Sequence, residues 1–202
     1  MISKPKYKIA RRLGPIYEKT QTQRFTLSEA RRAKAAGRGK RPKALSDYGL
    51  QLIEKQKIKF SYGISERQFG NYVEEAMKSI AVAPSIKLQE SLESRLDNVA
   101  YRIGLAPTRA SARQMVAHGH LLINGKRTTS PSYRVKIGDK IGIREGSKNK
   151  GIFQELAKKL KNYKSPEWLR FDPNTFAGEV ENKPKALDGA FNFDTVLEFY
   201  SR

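Results

Sequence analysis

Between Ser91 and Leu105 the apolar residues Leu92, Leu96, Val99, Ala100 and Ile103 fall at i, i+4, i+7, i+8 and i+11. That period predicts one helix with a single buried stripe. Glu93, Arg95, Asp97 and Arg102 stay off the stripe, and Asp97 reads as a surface or helix-pairing carboxylate. Gly104 supplies a stop and Pro107 bars simple continuation. A second helix follows, capped by the Thr108 hydroxyl and ended by Gly119, with Ala112, Met115 and Val116 facing inward.

The period then changes. Leu121–Ile123 is a short apolar run meeting Asn124-Gly125, a strong two-residue hairpin signal. The return passes through Pro131 to 133–137, Gly138-Asp139 turns the chain, and Ile141 and Ile143 alternate with polar or small residues in a last strand. Two helices on a small, mostly antiparallel sheet are expected over 91–145.

Residues 45–90 read as helical. Ser46 caps a helix running to about Tyr62, with Gly63 as its stop, and Ser65 and Gln68 form a capping-box pattern. Phe69, Val73, Ala76, Met77 and Ile80 make the next core stripe, while Lys55, Lys57 and Lys59 read as phosphate contacts or solvated charge. Residues 81–85, with Pro84, suit a linker. After Glu145 a lysine-rich helix is expected from Ile152 to about Tyr163. The fold class is α+β: a helical domain over 45–90, a two-helix-and-sheet domain over 91–174, and an arm over 1–44.

Charge changes this picture most. Forty Lys or Arg against twenty Asp or Glu give a net charge of +20, the footprint of a polyanion binder. No run approaches the ~20 apolar residues of a membrane helix, no apolar stretch of a secretory signal follows the basic start, and no membrane partner is expected. The chain contains no cysteine, which excludes disulfides, zinc–cysteine clusters and thiol catalysis. Fourteen basic and two acidic residues fall within 1–43, too apolar-poor to bury a core, with one short helix over 28–36. Arg11, Arg12, Arg38, Lys40, Arg41 and Lys43 of this arm are candidate RNA contacts, ordered by RNA or not at all. Residues 164–202 reverse the balance, with seven acidic against five basic residues and seven aromatic ones. Such a segment suits packing on the protein's own helices or on another protein. Asp172, Glu179 and Glu181 are its candidate protein-interface residues.

The sharpest constellation is Arg109, Arg113, Gln114 and His118 on the second helix. Guanidinium groups at i, i+4 fork onto successive phosphates or stack on unpaired bases, and Gln and His add directional hydrogen bonds. Thr108, Arg95, Arg102, His120, Asn124 and Lys126 extend the patch. His118 and His120 are the only histidines, too few for a metal site, so no metal or cofactor is expected. There is no Walker-type loop or nucleophile elbow.

Several stretches closely resemble one family. Arg95-Leu-Asp-Asn-Val-Ala-Tyr-Arg102, Thr108-Arg-Ala-Ser-Ala-Arg-Gln-Met-Val116, His118-Gly-His120 and Ile123-Asn-Gly-Lys126 resemble the RNA-binding domain named after small-subunit ribosomal protein four. The flanks resemble the ribosomal protein family itself: Arg11-Arg-Leu-Gly14, Leu45-Ser-Asp-Tyr-Gly-Leu-Gln-Leu52, Glu66-Arg-Gln-Phe69, Pro131-Ser-Tyr133 and Glu198-Phe-Tyr-Ser-Arg202. Some relatives carry zinc-binding cysteines in the arm, and this chain departs from them.

That resemblance implies a structural constituent of the small ribosomal subunit. Its implied roles are primary binding of small-subunit rRNA, nucleation of the subunit body and a contribution to translational accuracy. Its implied partners are small-subunit rRNA, small-subunit protein five and, through Arg38–Lys43, messenger RNA at the entry channel. The implied location is a cytoplasmic ribosome, with an organellar one left open, and a C-terminus over 175–202 that completes the helical domain. The competing readings are a free-standing RNA chaperone or an RNA-modifying enzyme. Arg95-Leu-Asp97 is similar to a tripeptide around the catalytic Asp of some RNA pseudouridine synthases, but it lies within an amphipathic helix.

Overall fold

The computed structural model of the 202-residue chain describes residues 6–14, 16, 22–36, 45–148, 156, 160, 163, 165–172, 175–184 and 191–201. Its helices are α1 (Lys6–Leu13), α2 (Gln23–Ala36), α3 (Asp47–Tyr62), α4 (Glu66–Met77), α5 (Pro84–Glu93), α6 (Leu96–Arg102), α7 (Arg109–Ala117), the single turn α8 (Glu145–Lys148) and α9 (Phe193–Ser201). Its strands are β1 (Leu121–Ile123), β2 (Lys126–Arg127), β3 (Lys140–Ile143), β4 (Leu169–Asp172) and β5 (Ala177–Val180). The class is α+β. The chain divides into two compact units, one of residues 1–85 with 188–202 and one of 86–187.

In the helical unit, local signals set the helix ends. Ser46 and Ser65 accept from the amides of Gly49 and Gln68, satisfying donors that a helix start leaves orphaned. Gly63, at φ 63°, closes α3 in the left-handed conformation. Phe69, Val73 and Ala76 are buried as expected, but α4 ends at Met77. Met77 and Ile80 are therefore exposed, and Tyr72 takes their place in the core.

The end of the acidic aromatic segment, residues 191–201, packs on the unit's own helices. α9 lies on α3 and α4. Phe199 meets Tyr48 at 5.4 Å between ring centroids, and Tyr200 meets Phe69 edge-on at 6.1 Å. Lys55, expected as phosphate-facing or solvated, is instead buried, with its ammonium 4.5 Å from the Phe199 centroid and 2.5 Å from Glu66 Oε1. Lys59 Nζ lies 2.6 Å from Glu66 Oε2 and the Tyr200 hydroxyl donates to Glu66 Oε1 at 3.1 Å. Partial burial pushes the Glu66 carboxyl upward, but hydrogen bonds and charge from the two lysines outweigh it and hold the pKa down to about 2. Burial first, then Glu66, raises the Tyr200 phenol above its ordinary range.

The arm departs from its expectation. Ala10 and Leu13 are buried and α1 packs on α3, so two apolar residues one helical turn apart suffice to dock it. Tyr7 meets Phe25 at 5.7 Å, and Arg11 bonds Glu29 at 3.0 Å, joining α1 to α2. α2 begins five residues earlier than expected, at Gln23 rather than Ser28.

The second unit holds a five-stranded sheet, β2-β1-β3-β5-β4, antiparallel at every pairing. Leu96, Val99, Ala100, Ile103, Ala112, Met115 and Val116 pack over Leu121, Ile123, Ile141 and Ile143. Asn124 and Gly125, at φ 50° and 78°, form the expected β1–β2 turn. The return over 133–137 contributes only an isolated bridge, Arg134 to Arg95. The missing sheet area comes from β4 and β5. Residues 175–184, expected with the helical domain, thus belong to this unit, because Ala177–Val180 alternates exposed and buried positions and pairs with both β3 and β4. Pro84, expected in a linker, starts α5, where its missing amide costs no helical bond. Of the helix expected over Ile152–Tyr163, only Leu156, Leu160 and Tyr163 lie among the described residues, and both leucines are buried in this core.

Candidate nucleic-acid interface

The helix expected over 91–105 is two helices, broken at Ser94-Arg95. Arg95 adopts φ −67°, ψ 137°, an extended conformation. The break lets the backbone pair with the 131–135 segment: the Leu96 and Asp97 amides donate to the Tyr133 and Pro131 carbonyls, and the Val135 amide donates to the Ser94 carbonyl. The apolar stripe continues across the kink, since Leu92, Leu96, Val99, Ala100 and Ile103 are all buried.

Polar side chains at the kink are buried as well. Arg95 is 1% exposed, Asp97 3% and Glu93 0%. Burial of such charges is tolerable only when they are paired and hydrogen-bonded. Arg95 donates from Nε to Asp97 Oδ1 at 3.0 Å and from Nη2 to Oδ2 at 2.8 Å. Arg113, reaching from α7, places Nε and Nη2 at 2.9 and 2.7 Å from the same Oδ2. Glu93 receives Arg102 in the same forked manner, with both bonds at 2.9 Å, and accepts from the Asn98 amide group at 2.8 Å. Asn98 Oδ1 in turn accepts from Arg109 Nε at 2.7 Å, and the Arg109 guanidinium lies 4.6 Å from the Tyr101 ring centroid. Two carboxylates and one carboxamide therefore gather four guanidinium groups, leaving the cluster positive.

Access divides the candidates. The Arg102 and Arg113 side chains are 21% and 29% exposed, and Arg109 is half-buried, so all three reach solvent while held from behind. Arg95, expected to contact RNA, is a buried brace for Asp97. Of the two readings of Asp97, the helix-pairing one holds: it is buried and joins α6 to Arg113 of α7. Thr108 caps α7 through the Ser111 amide. Gln114, one turn beyond Ala110 and one before His118, is exposed, as is His118. His120 lies 6.1 Å from His118 by ring centroid and bonds Ser147 Oγ through Nδ1. Asn124 turns away from the patch: its amide group donates to Asp139 and its oxygen accepts from the Lys140 amide, tying the hairpin to β3. Lys126 and Arg127 are exposed on β2. Arg127 donates to the His118 carbonyl and passes so close to Gly119 that a Cβ there would collide with its guanidinium.

Glu93, Asn98, Tyr101 and Arg127 were missed. The signal is weak because Glu93 pairs with Arg102 nine residues on and Asn98 with Arg109 eleven residues on, spacings that no single helix brings together. Among the described residues, no three metal-ligating side chains gather and no helix is long and apolar enough to cross a membrane.

Arg11 and Arg12 are exposed on α1 of the helical unit, and Arg38, Lys40, Arg41 and Lys43 lie outside the described residues. Asp172 accepts from Thr175 at its strand end. Glu179 stands opposite Lys140 on one neighbouring strand and Arg170 on the other, and Glu181 lies 3.9 Å from Arg170. Glu179 and Glu181 thus face cations of their own sheet.

Two short helices thus lie over an antiparallel sheet, with arginines braced where the helices meet. Residues 94–141 match the family described as S4 domain, and residues 2–95 match that described as Ribosomal protein S4/S9 N-terminal domain. The small ribosomal subunit protein uS4 of Roseiflexus castenholzii is 42% identical over 203 residues, covering 98% of this chain and 97% of that protein. The protein of the same name from Thermus thermophilus is 46% identical over 165 residues, covering 81% and 78%. The chain belongs to the uS4 family.

Proposed function

We propose that this chain is a structural constituent of the small ribosomal subunit that binds small-subunit rRNA through the α6–α7 face and the β1–β2 hairpin. The observation that carries this reading is the positive cluster of Arg102, Arg109 and Arg113, partly open to solvent and fixed from behind by the buried Glu93, Asn98 and Asp97. Phosphate is the group such forks match. The chain's +20 charge supplies the long-range attraction. The wider role proposed is early binding at a junction of rRNA helices, nucleation of the subunit body and support of decoding accuracy. Arg11, Arg12 and residues 38–43 serve as further RNA contacts, the last group toward messenger RNA. Asp172, Glu179 and Glu181 form a contact with small-subunit protein five in a cytoplasmic ribosome. The function is binding rather than catalysis, since Asp97, the one carboxylate with an enzyme-like sequence context, already serves two arginines in the interior.

The test is assembly. The chain should sediment with small subunits after a high-salt wash and protect a discrete set of small-subunit rRNA nucleotides from cleavage. A chain that remains free at high salt and leaves the rRNA cleavage pattern unchanged would rule the proposal out.

A further inference from the structure

We infer that Asp97 and Asn98 are positioning residues for RNA recognition, acting on phosphate only through the arginines they hold. The inference rests on the proposed rRNA reading and deepens it. Asp97 and Asn98 are consecutive in α6, and both are buried. Asp97 fixes Arg113, and Asn98 fixes Arg109, one helical turn earlier on α7. One turn of α6 therefore sets the direction of two guanidinium groups on the facing helix.

Each holder is itself immobilised. Asp97 is clamped through both oxygens by the buried Arg95. Asn98 donates to the Glu93 carboxylate at 2.8 Å and to the Glu93 backbone carbonyl at 3.0 Å, so its remaining oxygen points at Arg109. An arginine side chain has many rotamers, and ordering it only when RNA binds weakens binding. Here that ordering is already present in the fold. The sign of the charge makes the inference unusual. A carboxylate beside a phosphate-binding face repels phosphate, so removing Asp97 improves the electrostatics while releasing Arg113.

The experiment measures affinity of the full chain for a small-subunit rRNA fragment at fixed salt, for Asp97→Asn, Arg113→Ala and the double variant, with circular dichroism checking the fold. Asp97→Asn should bind about three- to tenfold more weakly despite its extra positive charge, on the scale of ordering one long side chain. The double variant should bind about as weakly as Arg113→Ala alone, because Asp97 acts through Arg113. Unchanged or tighter binding by folded Asp97→Asn, or losses that simply multiply in the double variant, overturns the inference. Should Asp97→Asn unfold, the same cycle is read on Asn98→Ala with Arg109→Ala. Asn98 carries no charge, and Glu93 keeps Arg102 when it is removed. Non-additive losses there support the inference, and additive ones overturn it. If neither Arg109→Ala nor Arg113→Ala weakens binding, the rRNA reading of this face fails instead, whatever the holders do.

Discussion

Arg95 and Asp97, two residues apart, form a forked ion pair in which both carboxylate oxygens are engaged and neither side chain reaches solvent. Removing Arg95 strips Asp97 of one of its two arginine partners while Arg113 stays in place, which costs about 1–3 kcal/mol. Arg95→Ala should lower stability in urea by that amount, whereas Arg127→Ala on the exposed hairpin should change it by less than about 0.5 kcal/mol. Equal effects in urea melts would show that the interior pair contributes nothing special.

Binding to rRNA should depend steeply on salt. If about six to ten phosphates are neutralised, affinity should fall by roughly three to five orders of magnitude between 50 and 200 mM salt. The check is a plot of log affinity against log salt, and a flat line contradicts an electrostatic interface.

Glu66 predicts an acid sensitivity of the helical unit. Its folded pKa of about 2 lies below the ordinary value of 4.5. The stabilisation is therefore fully present above about pH 4.5 and is lost as pH falls toward 2. Thermal melts of Glu66→Gln should track the parent at pH 2 and fall below it at pH 6. The Glu66 side chain is 49% exposed, so solvent screening keeps this difference modest. Parallel melting curves at both pH values would remove Glu66 as the cause.

Gly104 should resist substitution. Its φ of 81° is left-handed, and a Cβ there would stand 2.7 Å from Leu160 Cδ2 and 3.0 Å from Tyr163 Cδ1. Gly104→Ala should destabilise the protein by at least about 1–2 kcal/mol, the cost of the backbone conformation alone. Gly125→Ala, also at positive φ but with open space around it, isolates the backbone part. Equal losses in urea melts would show that Leu160 and Tyr163 yield freely.

Ser46, Gly63, Ser65, Thr108 and Asn124-Gly125 announce their elements in the sequence because each acts within a few residues of itself. The stripe from Leu92 to Ile103 announces its burial for the same reason. The kink at Ser94-Arg95 is invisible locally, since it is stabilised by carbonyls at 131 and 133. β4 and β5 are hidden in an acidic stretch whose alternation is only four residues long. At the candidate site the arginines are legible, but their holders are not. A buried acid and an exposed one look alike until the facing helix is in place.

β5 lies between β3 and β4 in the sheet, although it is encoded long after β3. Chains are made N-terminus first. A nascent chain that has reached residue 148 therefore holds α6, α7 and β1–β3, but the far side of β3 still offers unpaired backbone to any passing strand. The helical unit waits longer still, because α9 follows β5 in the chain. Until β5 is made, the edge of β3 that it covers stays open to pairing with another strand.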